Sequence, residues 1–173
     1  MGQGFARFKH DPRRVTLNDA IDWTGSHMRQ GAYCPCCGQL TKIYRRKLNS
    51  SMAYALILIY KRSRQETGGW FHVPSHIAGL GLKGAVAAAI RGDWAKLVHW
   101  ELIEPQQGPH EGEGRTSGIW RVTERGRDFV LGLTREREYV LIYDGNCIGL
   151  DGDLISIQTA LKNRFNYEEL LRA

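Results

Sequence analysis

A chain of 173 residues with 42% hydrophobic and 24% charged residues carries enough apolar material for a packed core, which excludes wholesale disorder and a low-complexity fibre. Lys and Arg number 24 against 18 Asp and Glu, and the resulting net charge of +6 favours a polyanionic partner such as nucleic acid. The longest nearly apolar run, Ser51–Tyr60, falls short of the roughly 20 residues a bilayer requires and is followed by Lys61, Arg62 and Arg64, so no membrane span is expected.

The leading stretch MGQGFARFKHDPRR has no apolar signal core, and cytoplasmic residence is the expectation; in that reducing setting the cysteines are expected to stay out of disulfides. Leu17, Ile21 and Met28, with Ala20 and Trp23 alongside, then recur near helical spacing, with Thr16 as N-cap and Asp19 in the first turn. Gly31 ends this helix. The cysteine-rich AYCPCCGQL follows, and then LTKIYRRK, where Leu40, Ile43 and Tyr44 sit among cations. Asn49 or Ser50 caps a core helix that runs to Arg64, its closing cations lying where the helix dipole favours positive charge. ETGG stops it, and WFHV reads as a short strand ended by Pro74.

Alanine-rich KGAVAAAI is helical by propensity, Arg91-Gly92 breaks it, and Asp93 is placed to cap a second helix, WAKLVHWELI, whose inner face carries Trp94, Leu97 and Val98. Trp94 and Trp100 are expected in the core. Two helices around a tight glycine turn form a helix-turn-helix pattern. Pro105 ends the second helix, a glycine-rich polar loop fills 106–118, IWRV is a strand, and Thr123 caps a short helix with Phe129 and Val130. In the last part YVLIY and CIGL flank DGN, a hairpin signal, and a closing helix starts at Ser156 and breaks near Asn163–Asn166.

RGDWAKLVHWELIEP joined to SGIWRVTERGRDFVLG resembles winged-helix proteins: a second helix ending in W-x-L-I, a loop as wing tip, and a strand leading into a T-x-x-G helix start. The resemblance covers Asn49–Gly132. It implies binding of double-stranded DNA through the second helix, although winged helices also bind RNA and proteins. The leading CPCCGQLTKIYRRKLNSSMA, taken with YVLIYDGNCIGL and NRFNYEELL, is similar to a group of bacterial and phage proteins, which implies an architecture more than a function. The expected fold is therefore α+β: an N-terminal helix and cysteine segment over 1–48, a winged helix over 49–132, and a hairpin plus helix over 133–173 packed on it.

Cys34 and Cys37 form a C-P-x-C-G knuckle, a tight turn whose backbone amides point at the sulfurs and suit tetrahedral zinc. Four ligands are needed and Cys147 stands alone, so His72 and His76, at i and i+4, best complete a Cys2His2 set. Against that set, 34 residues separate the two pairs, and Pro74 argues against one helical turn presenting both histidines. Cys36, His10 and His27 are alternative ligands, and a metal-free knuckle is the competing reading. A redox pair lacks its usual β/α setting, since a basic run follows instead.

Candidate nucleic-acid contacts are Lys83, Arg91, Lys96 and His99 around the helix pair and Arg115, Arg121 and Arg125 on or near the wing. Glu101 and Glu104 oppose phosphate there. A denser basic group is Lys42, Arg45, Arg46 and Lys47 followed by Lys61, Arg62 and Arg64, with Tyr44 either stacking on a base or filling the core. The acidic turns around Asp144 and Asp151–Asp153 do not fit a calcium loop. Nucleophile-elbow, phosphate-loop and H-E-x-x-H motifs are absent, so no enzymatic activity is expected. The leading expectation is a nucleic-acid-binding regulator or accessory factor, acting on double-stranded DNA in a bacterial or phage setting. The alternative is a protein-interaction module acting on a host or phage enzyme, with the YVLIY strand adding to a partner's sheet if it lies on an edge.

Overall fold

The computed structural model describes residues 5–9, 14–82, 87, 90, 92–106 and 118–172. The chain divides into two compact units, one of Met1–Arg46 with Leu141–Gly149 and one of Lys47–Val140 with Leu150–Ala173. Its helices and antiparallel sheets make it a mixed α and β protein.

In the first unit, helix α1 (Leu17–His27) opens on a reciprocal capping box. The Thr16 hydroxyl accepts from the Asp19 N–H at 3.2 Å and donates to the Asp19 carboxylate at 2.5 Å; that bond first, and the Thr16 N–H bond to the same carboxylate at 3.2 Å second, hold the Asp19 carboxyl below its ordinary range. The predicted apolar stripe buries little of itself: Ala20 is the buried residue of the helix, while Leu17 is 70% and Ile21 58% exposed. Strands β1 (Ala32–Tyr33) and β2 (Leu40–Thr41) follow as an antiparallel hairpin with Ala32 opposite Thr41 and Tyr33 opposite Leu40. Ala6 bridges Ala32 in parallel, donating to the Gly31 carbonyl and accepting from the Tyr33 N–H, both at 3.0 Å. Gly31, at φ +93°, is required by this approach, since a Cβ there would come within 2.7 Å of the Phe5 ring.

The second unit is built around α2 (Ser50–Ser63). The Asn49 side chain caps it by accepting from the Met52 N–H at 2.9 Å, and Met52, Ala53, Ala55, Leu56, Ile57 and Ile59 are buried. Next come β4 (Phe71–His72), α3 (Val73–Gly79), a 3₁₀ turn over Trp94–Trp100, β5 (Ile103–Pro105), β6 (Ile119–Val122) and α4 (Glu124–Val130). The three strands form an antiparallel sheet in the order β4-β6-β5, and α2 packs on β6, on the Trp94–Trp100 turn and on α4. Gln106 N–H donates to the Ile119 carbonyl at 2.9 Å, so the β5–β6 ladder runs to the edge of the connection over 107–117, which lies outside the described residues, as does most of the alanine-rich segment.

The expected helix WAKLVHWELI is shorter and tighter. Glu101 closes it in the left-handed region at φ 59°, and Leu102 and Ile103, 0% and 1% exposed, turn into the sheet, Ile103 opposite Val122. Burial of two large aliphatic residues beside β6 outweighs their helical propensity. Pro105 consequently lies on the outer strand β5, where its missing N–H costs no ladder bond. Asp93 makes no side-chain cap here; its carboxylate accepts from Lys96 Nζ instead. Pro74 sits in the first turn of α3, where no intrahelical N–H is needed, so the helix begins where the strand reading alone would end.

The third sheet has the order β3-β7-β8, formed by β3 (Tyr44–Lys47), β7 (Glu136–Tyr143) and β8 (Asn146–Ile155). The turn between the last two places Asp144 at φ 48° and Gly145 at φ 75°, the backbone of a two-residue hairpin turn. YVLIY is in the central strand, so its edge is not available to a partner's sheet. Leu141–Gly149 groups with the first unit and the rest of the hairpin with the second, a division that differs from a separate 133–173 segment. Ser156 caps α5 (Ile157–Leu161), and α6 (Tyr167–Arg172) follows a break at Lys162–Phe165. Tyr54 stacks on Phe165 at 4.5 Å and Tyr167 donates to the Val130 carbonyl at 2.8 Å, which fixes this end of the chain in the second unit.

Candidate nucleic-acid interface and the cysteine knuckle

The basic run after the hairpin becomes β3, all four of whose residues are exposed. Strand alternation puts Tyr44 and Arg46 on one side of β3, and Lys42, which precedes the strand, shares the same ring: Lys42 Nζ lies 5.9 Å and the Arg46 guanidinium 5.6 Å from the Tyr44 centroid. Tyr44 is 46% exposed, so it is a surface ring and does not fill the core. Lys42 also lies 5.1 Å from Phe5, and Arg7 stands 5.0 Å over Tyr33. Among the described residues no carboxylate pairs with Arg7, Lys42 or Arg46. Lys47, by contrast, is held by the Glu138 carboxylate, which raises its pKa. The first unit holds eight Lys and Arg against four Asp and Glu, so most of the chain's excess positive charge belongs to its smaller unit.

The cations expected to serve the helix pair and the wing have other partners. Lys96 bonds Asp93 at 2.5 Å, and burial first and Lys96 second hold His99 below its ordinary pKa, which favours its neutral form. Arg121 donates from Nε to Glu104 at 2.5 Å with its guanidinium 4.5 Å over Trp70. Arg125 grips Glu136 with two bonds of 2.7 and 2.6 Å and reaches Glu101 at 3.1 Å. Glu136 is only 2% exposed, so Arg125 is its counter-ion within the fold. Arg62 pairs with Glu66, and Lys61 donates to the Leu170 carbonyl at 3.1 Å. Lys83, Arg91 and Arg115 lie outside the described residues. A cleft of about 430 Å³ beside β6 gathers Arg64, Arg121 and Arg127 with Glu104 and Glu124, and so brings its own anions.

The knuckle forms in the hairpin of the first unit. Cys34 N–H donates to the Gln39 carbonyl at 2.8 Å, Gly38 N–H donates to the Cys34 carbonyl at 2.9 Å, and Gly38 takes φ +72° to close the turn. The backbone N–H groups of Cys37 and Cys36 donate to the Cys34 sulfur and lower its pKa, while partial desolvation and the neighbouring Cys34 raise that of Cys36. A cleft of about 550 Å³ opens beside Cys34, lined by Arg7, Phe8, Tyr33, Pro35 and Cys36. All four cysteines are free thiols.

The proposed histidine partners belong to the second unit and are differently engaged. His72 Nδ1 accepts from the Ser75 N–H at 3.2 Å as the N-cap of α3, which puts the ring proton on Nε2, and Nε2 faces Gly118 so closely that a Cβ there would stand 2.4 Å away. His72 therefore has no lone pair open for zinc. His76 meets the Phe71 ring edge-on at 5.5 Å, and burial together with Arg62 lowers its pKa. His27 stacks on Trp23 at 4.6 Å with Nδ1 2.8 Å from the Trp23 carbonyl, and His10 lies outside the described residues. Among the described residues no three or more His, Cys, Asp or Glu side chains are placed to share a metal ion. No described helix is long and apolar enough to cross a membrane.

Arg7 and Phe5 join the basic surface without having been signalled by any motif; only the pairing of Ala6 with Ala32 brings them to the hairpin. No protein-family model, curated protein or solved structure matches this chain.

Proposed function

We propose that the protein binds nucleic acid, double-stranded DNA in particular, with the basic surface of Arg7, Lys42 and Arg46 as its main phosphate contact. The observation that carries this reading is the exposed strand Tyr44–Lys47, beside which Lys42 and Arg46 rest on a ring face and not on a carboxylate. A cation held over a ring keeps N–H donors turned to solvent, and each phosphate it neutralises releases counter-ions. Residues 49–132 act in this reading as a winged helix. The order α2, β4, α3, turn, β5, β6, α4 and the antiparallel pairing of β5 with β6 support it. Binding needs no chemical step, as befits a regulator or accessory factor. Fluorescence anisotropy with a labelled duplex tests it: binding is expected at about 50 mM salt and declines steeply by about 200 mM. No binding at the lower salt overturns the proposal.

A second reading, a protein-interaction module, draws support from β8, an outer strand on which Leu150 and Leu154 are 41% and 52% exposed. It predicts that Leu150→Lys leaves duplex binding unchanged while removing binding to a protein partner.

A further inference from the structure

The knuckle presents two thiolate-forming side chains in a geometry suited to a metal, yet the described part of the chain does not complete a ligand set. The β1–β2 hairpin fixes the turn through the Cys34 N–H bond to the Gln39 carbonyl at 2.8 Å and the Gly38 N–H bond to the Cys34 carbonyl at 2.9 Å. Cys37 is exposed at the same turn, and Cys34 is half-buried beside an open cleft. His72 accepts at Nδ1 from the Ser75 N–H as the cap of α3, and His27, which donates from Nδ1 to the Trp23 carbonyl at 2.8 Å and keeps its Nε2 lone pair, is not grouped with the cysteines. Cys147 is exposed on β8, where its thiol is 3.5 Å from the Gly149 carbonyl. Among the described residues, then, the knuckle supplies two of the four ligands that tetrahedral zinc requires and no side chain is grouped with it to supply the others.

We propose that the missing half is the same knuckle of a second copy: Cys34 and Cys37 of two chains hold one zinc ion in a shared four-sulfur site. Two identical C-x2-C turns related by a two-fold axis meet a tetrahedral ion symmetrically, each residue occupying the same position in both copies. Exposure at the hairpin allows it, because Cys37, Gln39 and Leu40 all face solvent, and Leu40, 39% exposed, gives each copy an apolar flank for the contact. Charge adds a reason for a metal to be needed: each first unit carries excess cations, so two copies repel until four thiolates and the ion lie between them. The step is acid–base and ligand exchange only. Four thiols lose four protons, four Zn–S bonds of about 2.3 Å form, and the hydrated ion releases its water. Nothing is oxidised. A dimer of this kind places two basic surfaces on one particle, so it also raises the avidity of any polyanion binding without a new phosphate contact.

The test uses the full chain, reduced, stripped of metal and titrated with Zn²⁺ under sedimentation or light scattering. The expected result is a monomer without metal and a dimer with one zinc per two chains. Co²⁺ in place of Zn²⁺ is expected to give the thiolate-to-metal absorption of a four-sulfur site. Cys37→Ser is expected to remove both metal binding and dimerisation while the far-ultraviolet circular dichroism stays as in the metal-free wild type. Cys147→Ser and His10→Ala are expected to leave both intact. One zinc per chain in a monomer, zinc bound without association, or no zinc bound at all each overturns the shared site. The duplex titration of the stripped monomer is read separately, so loss of one proposal does not carry the other with it.

Discussion

In the second unit Lys47, Arg62, Lys96, Arg121, Arg125 and Arg127 each meet a carboxylate, although Arg64 and Arg164 lie over rings there; in the first unit Arg7, Lys42 and Arg46 lie over aromatic rings and pair with no carboxylate among the described residues. The second arrangement is the one that leaves charge for a polyanion. A guanidinium bound to Glu136 must break that bond to reach phosphate, and a buried glutamate left behind is costly. A guanidinium over Tyr44 gives up no salt bridge. Counting cations along the chain does not separate these cases, and their partners do.

The contrast breaks most visibly at Arg125. Arg125→Ala leaves Glu136 charged and unpaired, and because Arg125 itself is partly exposed the expected loss is near the lower end for such pairs, about 3 kcal/mol in a denaturant titration. An unchanged midpoint would mean that Arg125 is available to other partners after all. Gly126 probes the packing beneath that pair: a Cβ there would lie 2.0 Å from the Leu102 carbonyl oxygen, so Gly126→Ala must displace α4 and is expected to cost about 2 kcal/mol. Asn49→Ala removes the cap of α2 and is expected to cost about 1 kcal/mol by the same measurement.

A smaller effect follows from His76 and His99, whose folded pKa values lie below the ordinary 6.5 because of burial. Both rings are neutral in either state above that value, and as pH falls below it the unfolded chain takes up protons first. Stability is therefore complete above about pH 6.5 and declines as pH falls toward 5. His99→Gln should flatten that part of a Tm-against-pH profile; an unaltered profile would show that His99 carries none of this dependence.

Much of this fold can be read locally. Thr16, Asn49, Thr123 and Ser156 all cap the helices they precede, and Asp144-Gly145 makes the expected hairpin turn. Each is settled within about four residues of chain, the range over which a capping hydroxyl or a left-handed glycine acts. What the sequence hides is set by distant contacts. Helical spacing over Trp94–Ile103 does not reveal that Leu102 and Ile103 pair beside Val122, nor does the i, i+4 spacing of His72 and His76 reveal that His72 faces Gly118. The same holds for the site. KIYRRK is visibly basic, but Lys47 differs from Arg46 only because Glu138, ninety-odd residues on, stands beside it.

The central claim, that phosphate binding belongs to the ring-held cations of the first unit and not to the paired cations of the second, is tested most directly by salt dependence. Duplex binding is measured across salt for Lys42→Ala with Arg46→Ala and, separately, for Lys96→Ala with Arg121→Ala. The first pair should reduce the slope of log K against log salt by roughly 2, about 0.9 for each phosphate no longer neutralised, while the second pair leaves it as in the wild type. The reverse outcome, a reduced slope for Lys96 and Arg121 with an unchanged slope for Lys42 and Arg46, would contradict the account.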